Sequence, residues 1–150
     1  MRVWRVARRI HAVLDGEGAR RAGGRWNSPG MRVVYTSSTL SLSVLELLVH
    51  TDPDLIPRDL RAFEIESPES VTAEILDVTT LPANWRQIPN HPGCRAIGDA
   101  WLEQQSHAVL GVPSAVVPEE LNYLINPTHP DAALIQVVRS RAFSFDERLF

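Results

Sequence analysis

Eleven prolines are spread through 150 residues, and their placement excludes most of what a chain of this length can become. Each proline removes a backbone donor and crowds the preceding helical turn. Pro82, Pro89, Pro92, Pro113, Pro118, Pro127 and Pro130 therefore leave no room for a bundle of long helices. The segments between them are short and often β-branched. Residues 3–7, 31–36, 60–66, 72–78, 108–112 and 133–138 read as strands bounded by Gly, Pro, Asn or Asp. Residues 38–50 have helical spacing, with Ser37 or Ser38 as N-cap, an apolar stripe of Leu40, Val44, Leu47 and Leu48, and Asp52-Pro53 as the stop. Residues 95–105 form the second expected helix, burying Ile97, Trp101 and Leu102, while 121–125 fit either state. No repeat or long linker divides the chain, so the expected fold class is α+β, a single domain over 1–150 built of short strands with a few helices.

A chain of this length buries about 70% of its unfolded surface. The single Cys94 has no internal partner and no neighbour at metal-ligand spacing, which points to a reducing compartment and no structural zinc. The start Met1-Arg2-Val3-Trp4-Arg5 is charged at once, and no run approaches the roughly 20 apolar residues of a membrane span. The expected location is the cytoplasm, without membrane contact. The net charge of -3 conceals an asymmetry: residues 1–32 hold eight arginines against two acids, the remainder seven against sixteen. Every cation is arginine, a planar fork suited to phosphate or carboxylate. Solvated surface arginines are the bland explanation, and a pocket for an anionic ligand is the sharper one.

Three short pieces sharpen it. Gly23-Gly24-Arg25-Trp26-Asn27-Ser28-Pro29-Gly30 sets a guanidinium in a loop where backbone can approach a ligand closely, with neither the dinucleotide-binding nor the P-loop spacing. Tyr35 stands at a strand end, where rings often rim a cleft. Glu46 lies in the most apolar segment of the chain; on a helix it leaves the Leu40–Val44–Leu47–Leu48 stripe by a quarter turn or more, pointing either to water or to the edge of an apolar wall. A desolvated carboxylate there would act strongly on a nearby cationic centre. Ser114, Asn122 and Asn126 can line the same site or serve as turn residues. His11, His50, His91, His107 and His129 are dispersed, without a zinc-binding or triad arrangement.

Read in order, Val3-Trp4-Arg5-Val6, Gly24-Arg25-Trp26-Asn27, Val34-Tyr35 with Glu46 on the following helix, Leu81-Pro82-Ala83-Asn84-Trp85, Gly98-Asp99-Ala100-Trp101-Leu102, Val112-Pro113-Ser114 and Asn122-Tyr123-Leu124-Ile125-Asn126-Pro127 resemble the RES domain. That family is the toxin half of RES-Xre toxin–antitoxin modules, and the resemblance runs nearly the whole length. It implies a fold similar to ADP-ribosyltransferases of the diphtheria-toxin type and NAD as substrate, with no metal. The family's Arg, Glu and Ser map to Arg25, Glu46 and Ser114. The resemblance implies that Glu46 holds the ribose hydroxyls and stabilises an oxocarbenium-like state, Tyr35 stacks on nicotinamide and Arg25 grips the phosphates. Ser114 would fix the nicotinamide ribose or amide, with Arg5 and Asn126 as further NAD contacts. Water, inorganic phosphate or a protein side chain can capture the ribosyl cation, so hydrolysis, phosphorolysis and ADP-ribosyl transfer all remain open. The implied partner is an Xre-like antitoxin covering the pocket, with DNA contact only through it. A nucleic-acid-binding or RNA-cleaving alternative rests on the basic first 32 residues; the negative net charge and the lack of interleaved aromatics oppose it.

Overall fold

A computed structural model describes all 150 residues, Met1–Phe150. Seven strands form one mixed sheet: β1 (Arg2–Arg8), β2 (Val34–Ser37), β3 (Leu60–Glu66), β4 (Ala73–Ile75), β5 (Val109–Pro113), β6 (Leu121–Ile125) and β7 (Gln136–Ala142), in the order β4-β5-β6-β2-β1-β3-β7. The β4–β5 pair is parallel and the others are antiparallel. Three helices accompany it: α1 (Glu17–Ala22), α2 (Leu40–Leu48) and α3 (Pro92–Gln104). No helix is long and apolar enough to cross a membrane. The class is α+β.

Strand alternation sends side chains to two cores, one on each side of the sheet. Val3, Val34, Phe63, Ile65, Val109 and Ile125 share the first. Their immediate neighbours Leu110 and Leu124, with Val112, join Trp26, Cys94, Trp101 and Leu102 in the second, which α3 covers. β5 is consequently buried along its whole length, which is why it reads as a continuous apolar run rather than an alternating one.

The sheet has a seam. β1 pairs with β3 at seven successive positions but with β2 only at Trp4↔Ser37. Had the β1–β2 ladder continued, Val6 would face Tyr35; instead the Val6 N–H donates to the Ser43 hydroxyl of α2 at 2.8 Å. A side chain of α2 thus satisfies a backbone donor that the parted strands leave open, and α2 is fixed against the seam.

Several boundaries differ from the sequence reading. α2 is capped by Thr39, whose hydroxyl accepts from Leu42 N–H, because Ser37 completes β2 instead. The deepest residues of α2 are Leu42 and Ser43 rather than the Leu40–Val44–Leu47–Leu48 stripe, so Glu46, one turn further, lies on the inward face. α3 starts three residues earlier than expected: Pro92 occupies its first position, where a missing N–H costs nothing, and the His91 ring caps Gly93 N–H. Residues 31–33 precede β2 without joining it, Pro130–Leu134 is a 3₁₀ turn with β7 following, and the ambiguous 121–125 is β6, an interior strand between β5 and β2.

Candidate active site

Glu46 reaches from α2 to the connection between β5 and β6. Its Oε1 accepts from the Ser114 hydroxyl at 2.7 Å and from Asn122 Nδ2 at 2.6 Å. Ser114 is wholly buried one residue past β5, and its Oγ accepts two backbone bonds, from Val116 and Val117 N–H, at 3.0 Å each. With both lone pairs occupied, the hydroxyl proton can only point at Glu46. Asn122 is oriented in turn by Ser37, whose hydroxyl donates to its Oδ1 at 2.8 Å. Both donors engage Oε1, so Oε2 carries no protein hydrogen bond. A half-buried carboxylate held by one oxygen and open at the other can accept hydroxyl protons and stabilise positive charge developing beside it.

Arg25 belongs to a second group. The Gly24–Asn27 turn is closed by a Gly24 N–H to Asn27 carbonyl bond of 3.0 Å, and the fully buried Asn27 side chain donates to the carbonyls of Ala19 at 2.9 Å and Met31 at 3.1 Å. Trp26 is buried against Trp85, with ring centroids 6.3 Å apart. α3 clamps the turn from the other side: Asp99 accepts from Ser28 N–H at 2.9 Å and from its hydroxyl at 2.6 Å, and Arg95 Nε donates to the Gly24 carbonyl at 3.0 Å. Gly98 permits this approach, since a Cβ there would sit 1.7 Å from the Trp26 carbonyl oxygen. From this rigid turn Arg25 Nη1 donates to the Trp85 carbonyl at 2.7 Å and the Gln87 carbonyl at 3.2 Å, leaving its remaining N–H groups without a protein acceptor. Arg86, in the same segment, donates from Nε to the Ala115 carbonyl at 3.0 Å. The 85–87 strand of loop therefore spans from Arg25 to the residue after Ser114.

Tyr35 serves this turn through its hydroxyl, which donates to Asn27 Oδ1 at 2.7 Å and accepts from Trp26 N–H at 3.2 Å. Burial holds its pKa well above the usual phenol range. The ring packs against the second core. Gly24 has no room for a side chain because a Cβ would meet Tyr35 Oη at 2.7 Å.

Of the residues singled out in the sequence, the structure joins Glu46 directly to Ser114, and Tyr35 directly to the turn bearing Arg25. Arg5 and Asn126 stand apart from both. Arg5, on the same face of β1 as Val3 and Ala7, forms no hydrogen bond or ion pair; burial lowers its pKa from the ordinary value, and Asp15 opposes that shift. Asn126, almost wholly buried at the far end of β6, donates to the Leu102 carbonyl at 3.2 Å and accepts from Thr128, beside a cavity of about 260 Å³ under Gly30–Arg32. Ser37, Arg95 and Asp99 carry no site role in the sequence reading. Gly98-Asp99 is visible there as a motif, but its partner Ser28 lies 71 residues away.

The RES domain family matches residues 2–146, and the chain belongs to that family. Among its relatives are the Prs ADP-ribosylating toxin of Sphingobium sp., 38% identical over 152 residues covering 97% of this chain and 94% of the relative, and Toxin Res of Pseudomonas putida, 38% identical over 154 residues covering both chains fully. Toxin Res of Yersinia enterocolitica is 36% identical over 152 residues, covering 99% of each. In three dimensions the fold matches a chain of the M. tuberculosis MbcT–MbcA toxin–antitoxin complex with a TM-score of 0.78 at 19% identity, covering 95% of this chain and 84% of that one.

Proposed function

We propose that this chain is the toxin of a toxin–antitoxin pair and that it cleaves the bond between nicotinamide and ribose in NAD. The observation that carries this reading is the Glu46 carboxylate, pinned at Oε1 by Ser114 and Asn122 and free at Oε2. Departure of nicotinamide leaves an oxocarbenium-like ribose, and a fixed carboxylate that receives a ribose hydroxyl stabilises that charge without having to reorganise. Arg25, with unspent N–H groups on a clamped turn, is suited to a phosphate oxygen. Arg5, on the first-core face of β1 with Asp15 as its countercharge, is given no part in this step. Tyr35 acts in this reading by holding the Arg25 turn, a task added to the ring stacking that the family resemblance implies. The test is incubation with NAD and mass analysis of the products, with and without inorganic phosphate: ADP-ribose marks capture by water, a phosphorylated ADP-ribose marks phosphorolysis.

A second reading, transfer of ADP-ribose to a protein, is favoured by one specific observation, the relative named an ADP-ribosylating toxin that spans 97% of this chain. It shares the cleavage step and differs only in the acceptor. Incubation with labelled NAD and a bacterial lysate distinguishes it by label retained on protein. The partner we propose is an Xre-like antitoxin whose C-terminal segment covers the site.

A further inference from the structure

We infer that Ser37 and Asn122 are positioning residues for Glu46, forming a two-step relay that fixes how the carboxylate is presented; this rests on the reading of Glu46 as the group at the reacting ribose. A glutamate on a helix is poorly fixed by its own covalent structure, because its terminal carboxylate torsion is broad and roughly two-fold. One donor leaves that torsion loose. Two donors converging on the same oxygen, Ser114 and Asn122, set it.

Asn122 can donate only if its amide is turned the right way, and the two ends of an amide are close in shape. The Glu46 carboxylate only accepts, so it takes the Nδ2 end, and the Ser37 hydroxyl, donating to Oδ1 at 2.8 Å, anchors the opposite end of the same amide. The pair is not a loop contact. Ser37 and Asn122 are directly opposed in the β2–β6 ladder, and Asn122 is also in register with Val112 of β5. Ser37 is 3% exposed. Backbone pairing therefore fixes the relay on both sides, so that Glu46, carried by α2 across the seam, is aligned by the sheet rather than by its own helix. Ser37 never touches the substrate in this scheme; it acts through Asn122.

The relay is separable from simple structural support by one isosteric change. Asn122→Asp keeps the shape but sets a second carboxyl where Nδ2 lies 2.6 Å from Glu46. Ionised, the two carboxylates repel; with one proton shared, the introduced carboxyl can again donate to Glu46 while Ser37 still donates to its other oxygen. NAD cleavage by Asn122→Asp should be depressed by about tenfold or more near pH 8 relative to the unsubstituted chain and should recover on acidification. Ser37→Ala should lower kcat by about tenfold with KM for NAD changed less than about twofold, and Ser37→Thr should restore most of it. Titration of the Glu46 side-chain carboxyl by NMR gives a readout independent of turnover: in Asn122→Asp it should titrate in two coupled steps. Independent titration, or a pH profile parallel to that of the unsubstituted chain, would overturn the relay. Coupled titration in a chain that cleaves no NAD would support the relay's geometry and overturn the reading of the site instead.

Discussion

Tyr35 shows how much a single hydroxyl can carry. It is the only hydrogen-bond donor to Asn27 Oδ1, and Asn27 is fully buried. Tyr35→Phe leaves that oxygen unsatisfied, at a cost of about 1–3 kcal/mol, and for a domain of this size each kcal/mol lowers Tm by about 2–4 °C. The loss should reach NAD binding as well, because the freed turn bears Arg25. Equal NAD affinity and Tm in Tyr35→Phe and the unsubstituted chain would contradict this. The same burial sets a pH dependence. The folded-state pKa of Tyr35 is raised, so between the ordinary phenol value of about 10 and the folded value the native chain keeps a proton that the unfolded chain has lost. Stability should therefore fall as pH rises above about 10, by up to about 1.4 kcal/mol per pH unit from this group. Denaturant titrations at pH 9 and 11 measure it, and the part due to Tyr35 should vanish in Tyr35→Phe. At this scale the candidates Arg25, Tyr35, Glu46 and Ser114 could be picked out by residue type, neighbours and family resemblance, and the structure joins Glu46 to Ser114 and Tyr35 to the turn bearing Arg25. The orientation of Glu46 was not legible in the sequence, because the burial of Leu42 and Ser43 depends on where the parted β1 and β2 set α2.

At the scale of elements, α3 acts as a clamp on the turn bearing Arg25. Gly98→Ala would force a methyl into the Trp26 carbonyl and should destabilise the fold by roughly 3 kcal/mol or more. Asp99→Asn is the milder probe. It keeps an acceptor for Ser28 but removes the charge-assisted bonds, and should raise KM for NAD several-fold while kcat changes less. Equal loss in kcat and kcat/KM would place Asp99 in the chemistry rather than in positioning. Strand composition made most of the sheet readable, and β3 was found at its observed bounds. The misses have physical causes. β6 is buried on both faces at Leu124 and Ile125, where periodicity cannot separate strand from helix. α1 is only six residues long and half-buried, with two arginines and no apolar stripe to signal it. The expected strand over 133–138 begins too early because Pro130 and the His129 cap start a 3₁₀ turn through Leu134.

The whole molecule is two strand groups joined at a seam, with α2 docked against it and Glu46 turned inward from that helix. A site of this kind is suited to being covered, and the unspent N–H groups of Arg25 favour a carboxylate-bearing segment as the cover. The proposed antitoxin should form a stable complex in which NAD binding by calorimetry falls at least about tenfold relative to the free chain, a lower bound for occluding a site of this kind. Undiminished binding in the complex would exclude occlusion. The role of Glu46 in cleaving the nicotinamide–ribose bond is measured by release of nicotinamide from NAD, followed by mass analysis with phosphate and with a bacterial lysate supplied in turn as acceptors. The unsubstituted chain should release nicotinamide in at least one of these conditions, and folded Glu46→Gln should do so at least about a hundredfold more slowly. Intact NAD under every condition, or equal release by Glu46→Gln, would contradict the account.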